Sequence, residues 1–143
     1  MIVLDTNVIS ELMKPAPDPA IRDWLSHLGD TPLATTAITI AEISYGLRRL
    51  ADGRRNAALA ARFEDYIGAD SALAVAPLDD IAAREAGRFR ALRAAAGLGA
   101  QPSDMMIAGI VAVMGASLAT RNVKDFAGLP IPIIDPWRGA GER

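Results

Sequence analysis

The feature that most constrains this chain is the alternation of short apolar runs with segments of helix length. MIVL, the opening of PLATTAITIAEISYGLRRL, ALAVAPL, SLATRN and IPIIDPW each read as a strand. MIVL is apolar without a break, the pattern of a strand buried on both faces. Between these runs, TNVISELMK reads as a helix ended by Pro15, and AIRDWLSHL as a helix with Ile21, Trp24, Leu25 and Leu28 on one face. AITIAEISYGLRRL follows with a stripe of Ile40, Ile43, Leu47 and Leu50 and Gly53 just past its end, and RRNAALAARFEDYIG returns beside it as an αα-hairpin. DDIAAREAGRFRALRAAAG is a long helix, QPSDMMIAGIVAVMG a helix apolar nearly all round, and VKDF a helical turn. Strands alternating with helices predict a parallel sheet of about four to five strands covered on both faces, a three-layer α/β/α domain with right-handed crossovers.

At 143 residues the chain is long enough to bury one core without staples. It has no cysteine, which excludes disulfides, thiol nucleophiles and Cys-ligated zinc, and its single histidine, His27, excludes a multi-histidine metal site. Any metal would be held by oxygen, which points to a hard cation such as Mg²⁺ or Mn²⁺. The apolar run Met105–Ala119 is shorter than the roughly 20 residues of a membrane span and holds two glycines, so it reads as a buried helix running into a strand. With no signal-peptide pattern at the start, a cytoplasmic protein without a membrane partner is expected. The net charge of −2 means that any nucleic acid must be met by a local patch. Arginines cluster in GLRRLADGRR and REAGRFRALR, where the plain alternative is solvated helix faces.

Four acids stand at places where chemistry is expected. Asp5 leaves the first strand, and in open parallel sheets sites form beyond the carboxyl ends of strands; Asp5 or Thr6 could equally cap the next helix. Glu42 has Ile38, Thr39, Tyr45 and Gly46 at its helical neighbour positions, so no local ion pair is available, and it sits in an apolar stretch where an unpaired carboxylate is costly to bury. Asp104 opens the most apolar helix, where the helix dipole also favours an acid. Asp125 follows Asn122 at capping-box spacing. A parallel sheet gathers such junctions along one edge, and gathered carboxylates repel one another unless a divalent cation offsets them. The chemistry that fits is phosphodiester hydrolysis, in which one or two Mg²⁺ ions activate water and stabilise charge on the attacking and leaving oxygens.

Taken as a set, LDTNVISEL, AITIAEISYGLRRL, PSDMMIAGIVAVMGASLATRNVKDF and DPW resemble the PIN-domain ribonucleases, in particular the VapC and FitB-like toxins of type II toxin–antitoxin modules. The resemblance runs over residues 1–137 as one PIN-like domain; residues 138–143 form a tail without a motif. It implies a Mg²⁺-dependent endoribonuclease, with Mn²⁺ able to substitute, whose metal-binding and catalytic set is Asp5, Glu42, Asp104 and Asp125. Asn122 is the rival for the fourth place, and Thr6, Thr120 and Asn122 are supporting polar groups; capping and strand-end bonding account for the two threonines equally well. It also implies a VapB-like antitoxin lying over the site, an RNA substrate, and a homodimer that assembles with the antitoxin. AIRDWLSHL and the Ile43/Leu47 region would offer an apolar groove for such a partner, unless they pack within the chain. Alternatives are a PIN nuclease acting on structured RNA or DNA, a catalytically inert partner-binding module, and a phosphoacceptor receiver domain. The last is disfavoured because Thr6 and Asn7, not a second acid, follow Asp5.

Overall fold

The computed structural model describes residues 1–50, 52–68 and 71–138. Its elements in chain order are β1 (Ile2–Leu4), α1 (Thr6–Leu12), α2 (Pro19–Ser26), β2 (Leu33–Thr36), α3 (Ala37–Arg49), α4 (Arg54–Ile67), β3 (Ala74–Ala76), α5 (Asp80–Ala95), α6 (Pro102–Met114), β4 (Ser117–Ala119) and β5 (Ile133–Ile134). Short 3₁₀ turns cover Val123–Asp125 and Pro136–Arg138. The five strands form one all-parallel sheet in the order β3-β2-β1-β4-β5, with Val3 opposite Ala34 on one side and Leu118 on the other.

β1 lies at the centre of that sheet, which explains its unbroken apolar sequence. Side chains alternate across a strand, so Val3 enters one core while Ile2 and Leu4 enter another. The Val3 core is built with Ala86 and Phe89 of α5 and Met105, Ile107, Ala108 and Val111 of α6. The opposite core gathers Val8, Ile9 and Leu12 of α1, Ile21 and Trp24 of α2, Ile43 of α3 and Phe63 of α4. The expected three-layer α/β/α domain is what forms.

α6 is seated hard against α5. A Cβ built on Gly109 would stand 2.4 Å from the Ala82 carbonyl oxygen and 2.9 Å from the Ala86 nitrogen, so this glycine permits a backbone approach that no side chain would. Gly115, at φ +62, ends the helix in the left-handed conformation and releases the chain into β4. The apolar run from Met105 is therefore a buried helix leading into a strand, and no described helix is long and apolar enough to cross a membrane.

Some expectations need correction. The stripe on α3 ends early: Ile43 is buried and Ile40 and Leu47 are half-buried, but Leu50 is exposed, because the chain has already turned to extended backbone there. Gly53 stands at the N-terminal edge of α4 with no role at the end of α3. α1 stops at Leu12, with Met13 closing it two residues before Pro15. The face expected to be apolar on α2 is largely used within the chain: Ile21 and Trp24 are buried with Ile43, while Leu25, Leu28 and Leu47 are half-buried against the same cluster. Of the expected tail, Arg138 belongs to the last 3₁₀ turn, and 139–143 lie outside the described residues.

Candidate metal centre at the carboxyl edge of the sheet

β1 and β4 are hydrogen-bonded neighbours, so their carboxyl ends bring Asp5 and Thr120 together across 115 positions of sequence. Asp5 is buried. Its Oδ1 accepts the Thr6 N–H at 2.8 Å, and its Oδ2 accepts the Thr120 hydroxyl at 2.7 Å and the Asn7 side-chain amide at 3.3 Å. Asp5 thus caps α1 and at the same time lines an open cavity at this edge of the sheet.

Asn7 fastens the same corner. Its amide also donates to Thr120 Oγ1 at 3.2 Å, and its Oδ1 accepts the Arg121 N–H at 3.1 Å, tying the start of α1 to the end of β4. Thr120, fully buried, further accepts the Asn122 N–H at 3.1 Å.

Glu42 comes from the middle of α3. Thr6 Oγ1 lies 2.9 Å from Glu42 Oε1 and 3.1 Å from Thr39 Oγ1, so with its one proton given to the carboxylate it accepts from Thr39. Thr39 is fully buried one turn before Glu42, in a helix whose N-terminus is capped by Thr36 through the Thr39 N–H at 3.1 Å. Glu42 is exposed and so escapes the cost of burial in its apolar stretch, because α3 turns this side toward an open cavity.

Asp104 sits half-buried in the first turn of α6, two residues after Pro102, and the helix end carries no side-chain cap. That cavity, about 450 Å³, is walled by Asp5, Thr6, Glu42, Asp104 and Asn122, together with Glu11, Lys14, Arg121 and Trp137. Asp125 is not in the wall; it ends the 3₁₀ turn Val123–Asp125, half-buried. Its partner in the supposed capping box, Asn122, makes no side-chain cap bond. His27 is exposed at the end of α2 and bonds the Asp23 carbonyl, away from the cavity.

The electrostatics mark this corner as short of positive charge. Burial pushes the Asp104 carboxyl up to about 6, and the charges of Asp5, Asp125 and Glu42 add to the rise while Arg93 opposes it. Asp5 is also raised, first by burial and further by Glu42, against the bonds from Thr120, Thr6 and Asn7. An all-oxygen donor set with surplus negative charge fits a hard divalent cation. Among the described residues no three acids stand close enough together to hold an ion by themselves.

Asn7, Glu11, Lys14, Thr39, Arg121 and Trp137 were not singled out as site residues from the sequence. Thr39 carried a local signal, since it precedes Glu42 by one helical turn and shares its face, while Asn7, Arg121 and Trp137 lie in the stretches LDTNVISEL, TRNVKDF and DPW. The cations at the cavity, Lys14 and Arg121, belong to neither arginine cluster. Within the second cluster, Arg84 and Arg88 pair with Asp80 and Glu85 of their own helix.

The PIN-domain family model matches residues 2–130. The chain belongs to the PIN-domain family. PIN-domain ribonucleases generally depend on a divalent metal, in agreement with the donor set at this sheet edge. The PIN domain is similar over its whole length to the VapC ribonuclease Y4jK of Sinorhizobium fredii, with 36% identity over 98% of this chain and 100% of the relative. It is 32% identical to the tRNA(fMet)-specific endonuclease VapC of Salmonella typhimurium over 94% of this chain and 96% of that one. Among solved structures, FitAcB from Neisseria gonorrhoeae contains a chain that superposes with a TM-score of 0.83 at 30% identity, covering 96% of this chain and 99% of that one.

Proposed function

We propose that this PIN domain is the toxin of a type II toxin–antitoxin pair, an endoribonuclease that works with Mg²⁺, or Mn²⁺ in its place, and is held silent by a VapB-like antitoxin in the cytoplasm. The observation that carries the chemical part is the convergence of Asp5, Glu42 and Asp104, from three separate elements, on one open cavity lined with surplus negative charge. The biological part is supported by relatives named VapC ribonuclease and toxin FitB, and by similar chains in toxin–antitoxin complexes, some of them bound to DNA.

In this reading Asp5, Glu42 and Asp104 would hold the cation, and Asp125 would act through its charge on Asp104. The bound ion would supply an acidified water and neutralise charge developing on the phosphate. The chain's own groups set the geometry. Thr120, Thr6 and Asn7 hold the Asp5 carboxylate at fixed angles. Thr6, itself bonded to Thr39, aims the Glu42 carboxylate. The openness of the cavity suits a polymer that enters from outside, and no histidine takes part.

The test is cleavage of a defined RNA set, including tRNAs, by antitoxin-free protein in Mg²⁺ or EDTA, with matching DNA and folded Asp5→Asn and Asp104→Asn variants alongside. Mg²⁺-dependent RNA cuts lost in both variants are expected. Equal cutting by all three proteins would sink the assignment of the site, and cuts confined to DNA would change the substrate.

A further inference from the structure

We propose that Arg121, held over the ring of Trp137, is a phosphate clamp that grips the RNA strand at the mouth of the acid cavity and leads it into a neighbouring basic cleft. The inference rests on the ribonuclease reading above and adds to it the residue that holds the substrate.

Three observations carry it. The Arg121 guanidinium carbon stands 5.1 Å from the centre of the Trp137 ring, a cation–π contact that fixes a side chain otherwise free to swing. The root of Arg121 is fixed as well, through its backbone N–H to Asn7 Oδ1 at 3.1 Å. Trp137 in turn packs against the core that holds Ile21 and Trp24 of α2, so the platform is anchored.

The second observation is position. Arg121 and Asn122 line the acid cavity, and both also line a second cleft of about 540 Å³ whose other charged residues are Lys124, Arg138 and Asp135. They form the shared rim between a pocket rich in carboxylates and one richer in cations.

The third is charge that has no internal use. Arg138 faces Asp135 at 3.7 Å and Lys14 faces Glu11 at 3.1 Å, whereas Arg121 and Lys124 have no carboxylate in salt-bridge range among the described residues. The N–H groups of the Arg121 guanidinium form a planar fork that matches two oxygens of a phosphate.

The physical need is plain. A cation at the carboxylates would serve the phosphate that is cut, while the adjoining phosphates of the strand would meet walls in which carboxylates outnumber cations. A fixed arginine on the rim offsets that repulsion for the next phosphate along, and Lys124 continues the path. Arg121 is therefore a substrate-binding residue, and Trp137 is a positioning residue that acts through it.

The test uses the full chain carrying Asp104→Asn to prevent cutting, a fluorescein-labelled mixed-sequence 20-nucleotide single-stranded RNA, Mg²⁺, and anisotropy titrations at several salt concentrations. Adding Arg121→Ala is expected to weaken binding roughly tenfold and to reduce the slope of log K against log salt by about 0.7, the loss of one phosphate contact on a single strand. Arg121→Lys restores the slope but not the affinity, since the charge returns without the fork. Trp137→Leu, which keeps an apolar side chain but removes the ring, weakens binding in the Arg121 protein and has no further effect in the Arg121→Ala protein; a merely structural tryptophan would weaken both alike. Unchanged affinity and slope in Arg121→Ala, with RNA still bound and still cut by the Asp104 protein, would overturn the clamp and leave the ribonuclease standing. RNA neither bound nor cut by any of these proteins would overturn the ribonuclease reading and the clamp with it.

Discussion

Two charged side chains meet at α6 and are treated in opposite ways. Arg93 of α5 is buried, yet its guanidinium donates to the carbonyls of Gly99 and Ala127, and so stitches the α5–α6 loop to the segment before β5. Asp104, in the first turn of α6, is left half-buried among Asp5, Asp125 and Glu42, with only Arg93 acting in its favour. The Arg93 clip is a charge whose donors find acceptors inside the fold, and it serves stability. The Asp104 corner is a set of charges that raise one another's need for compensation, which the proposed cation would supply. Polar burial is thus informative only when the partners are counted.

The sharpest way to break that comparison is Asp5→Asn. Partners that merely support metal ligands are worth roughly 10–100-fold, so loss of a ligand itself should cost more than about 100-fold in RNA cleavage. Thermal melts of the metal-free protein should show equal or greater stability, because one of the repelling charges is gone. A large loss of stability would place Asp5 with Arg93 among the structural charges.

Arg93→Leu should do the reverse. Removing a charged donor strands the Gly99 and Ala127 carbonyls, and a destabilisation of about 2–3 kcal/mol is expected from urea unfolding. The protein that remains folded should still cut RNA.

Thr6→Val isolates the aim of Glu42 from its charge. The hydroxyl bond at 2.9 Å is lost with little change of volume, and calorimetric titration with Mn²⁺ should find affinity lower by roughly tenfold. Unchanged affinity would mean that Glu42 needs no aiming.

The smallest effect is on pH. In EDTA, Asp104 stays protonated in the folded protein up to about 6, whereas in the unfolded chain it ionises near 3.8. Between those values the folded state holds the extra proton, so stability should fall as pH rises and level off above about 6. After allowance for solvent screening of a half-exposed group, the fall is on the order of 1 kcal/mol. Asp104→Asn should flatten it, and saturating Mg²⁺ should reverse it by favouring the ionised folded form.

The sequence by itself determined the layers and the strand order's ingredients: an unbroken MIVL for a central strand, helical stripes for the covering layers, and acids at the junctions where a parallel sheet opens. Asp5, Glu42 and Asp104 drew notice by local position: a strand exit, a helical site without an ion-pair partner, and the head of an apolar helix. Asp125 was visible by spacing alone, and spacing could not say that it would stand outside the cavity wall. What only the tertiary structure decided is the set of long-range bonds: Thr120 on Asp5 across 115 positions, Thr6 on Glu42 across 36, and Arg121 on the face of Trp137. Periodicity is a local property carried by neighbours in the chain, so it can be read from a string. A hydroxyl or a guanidinium finds its partner only after the sheet has brought distant strand ends side by side.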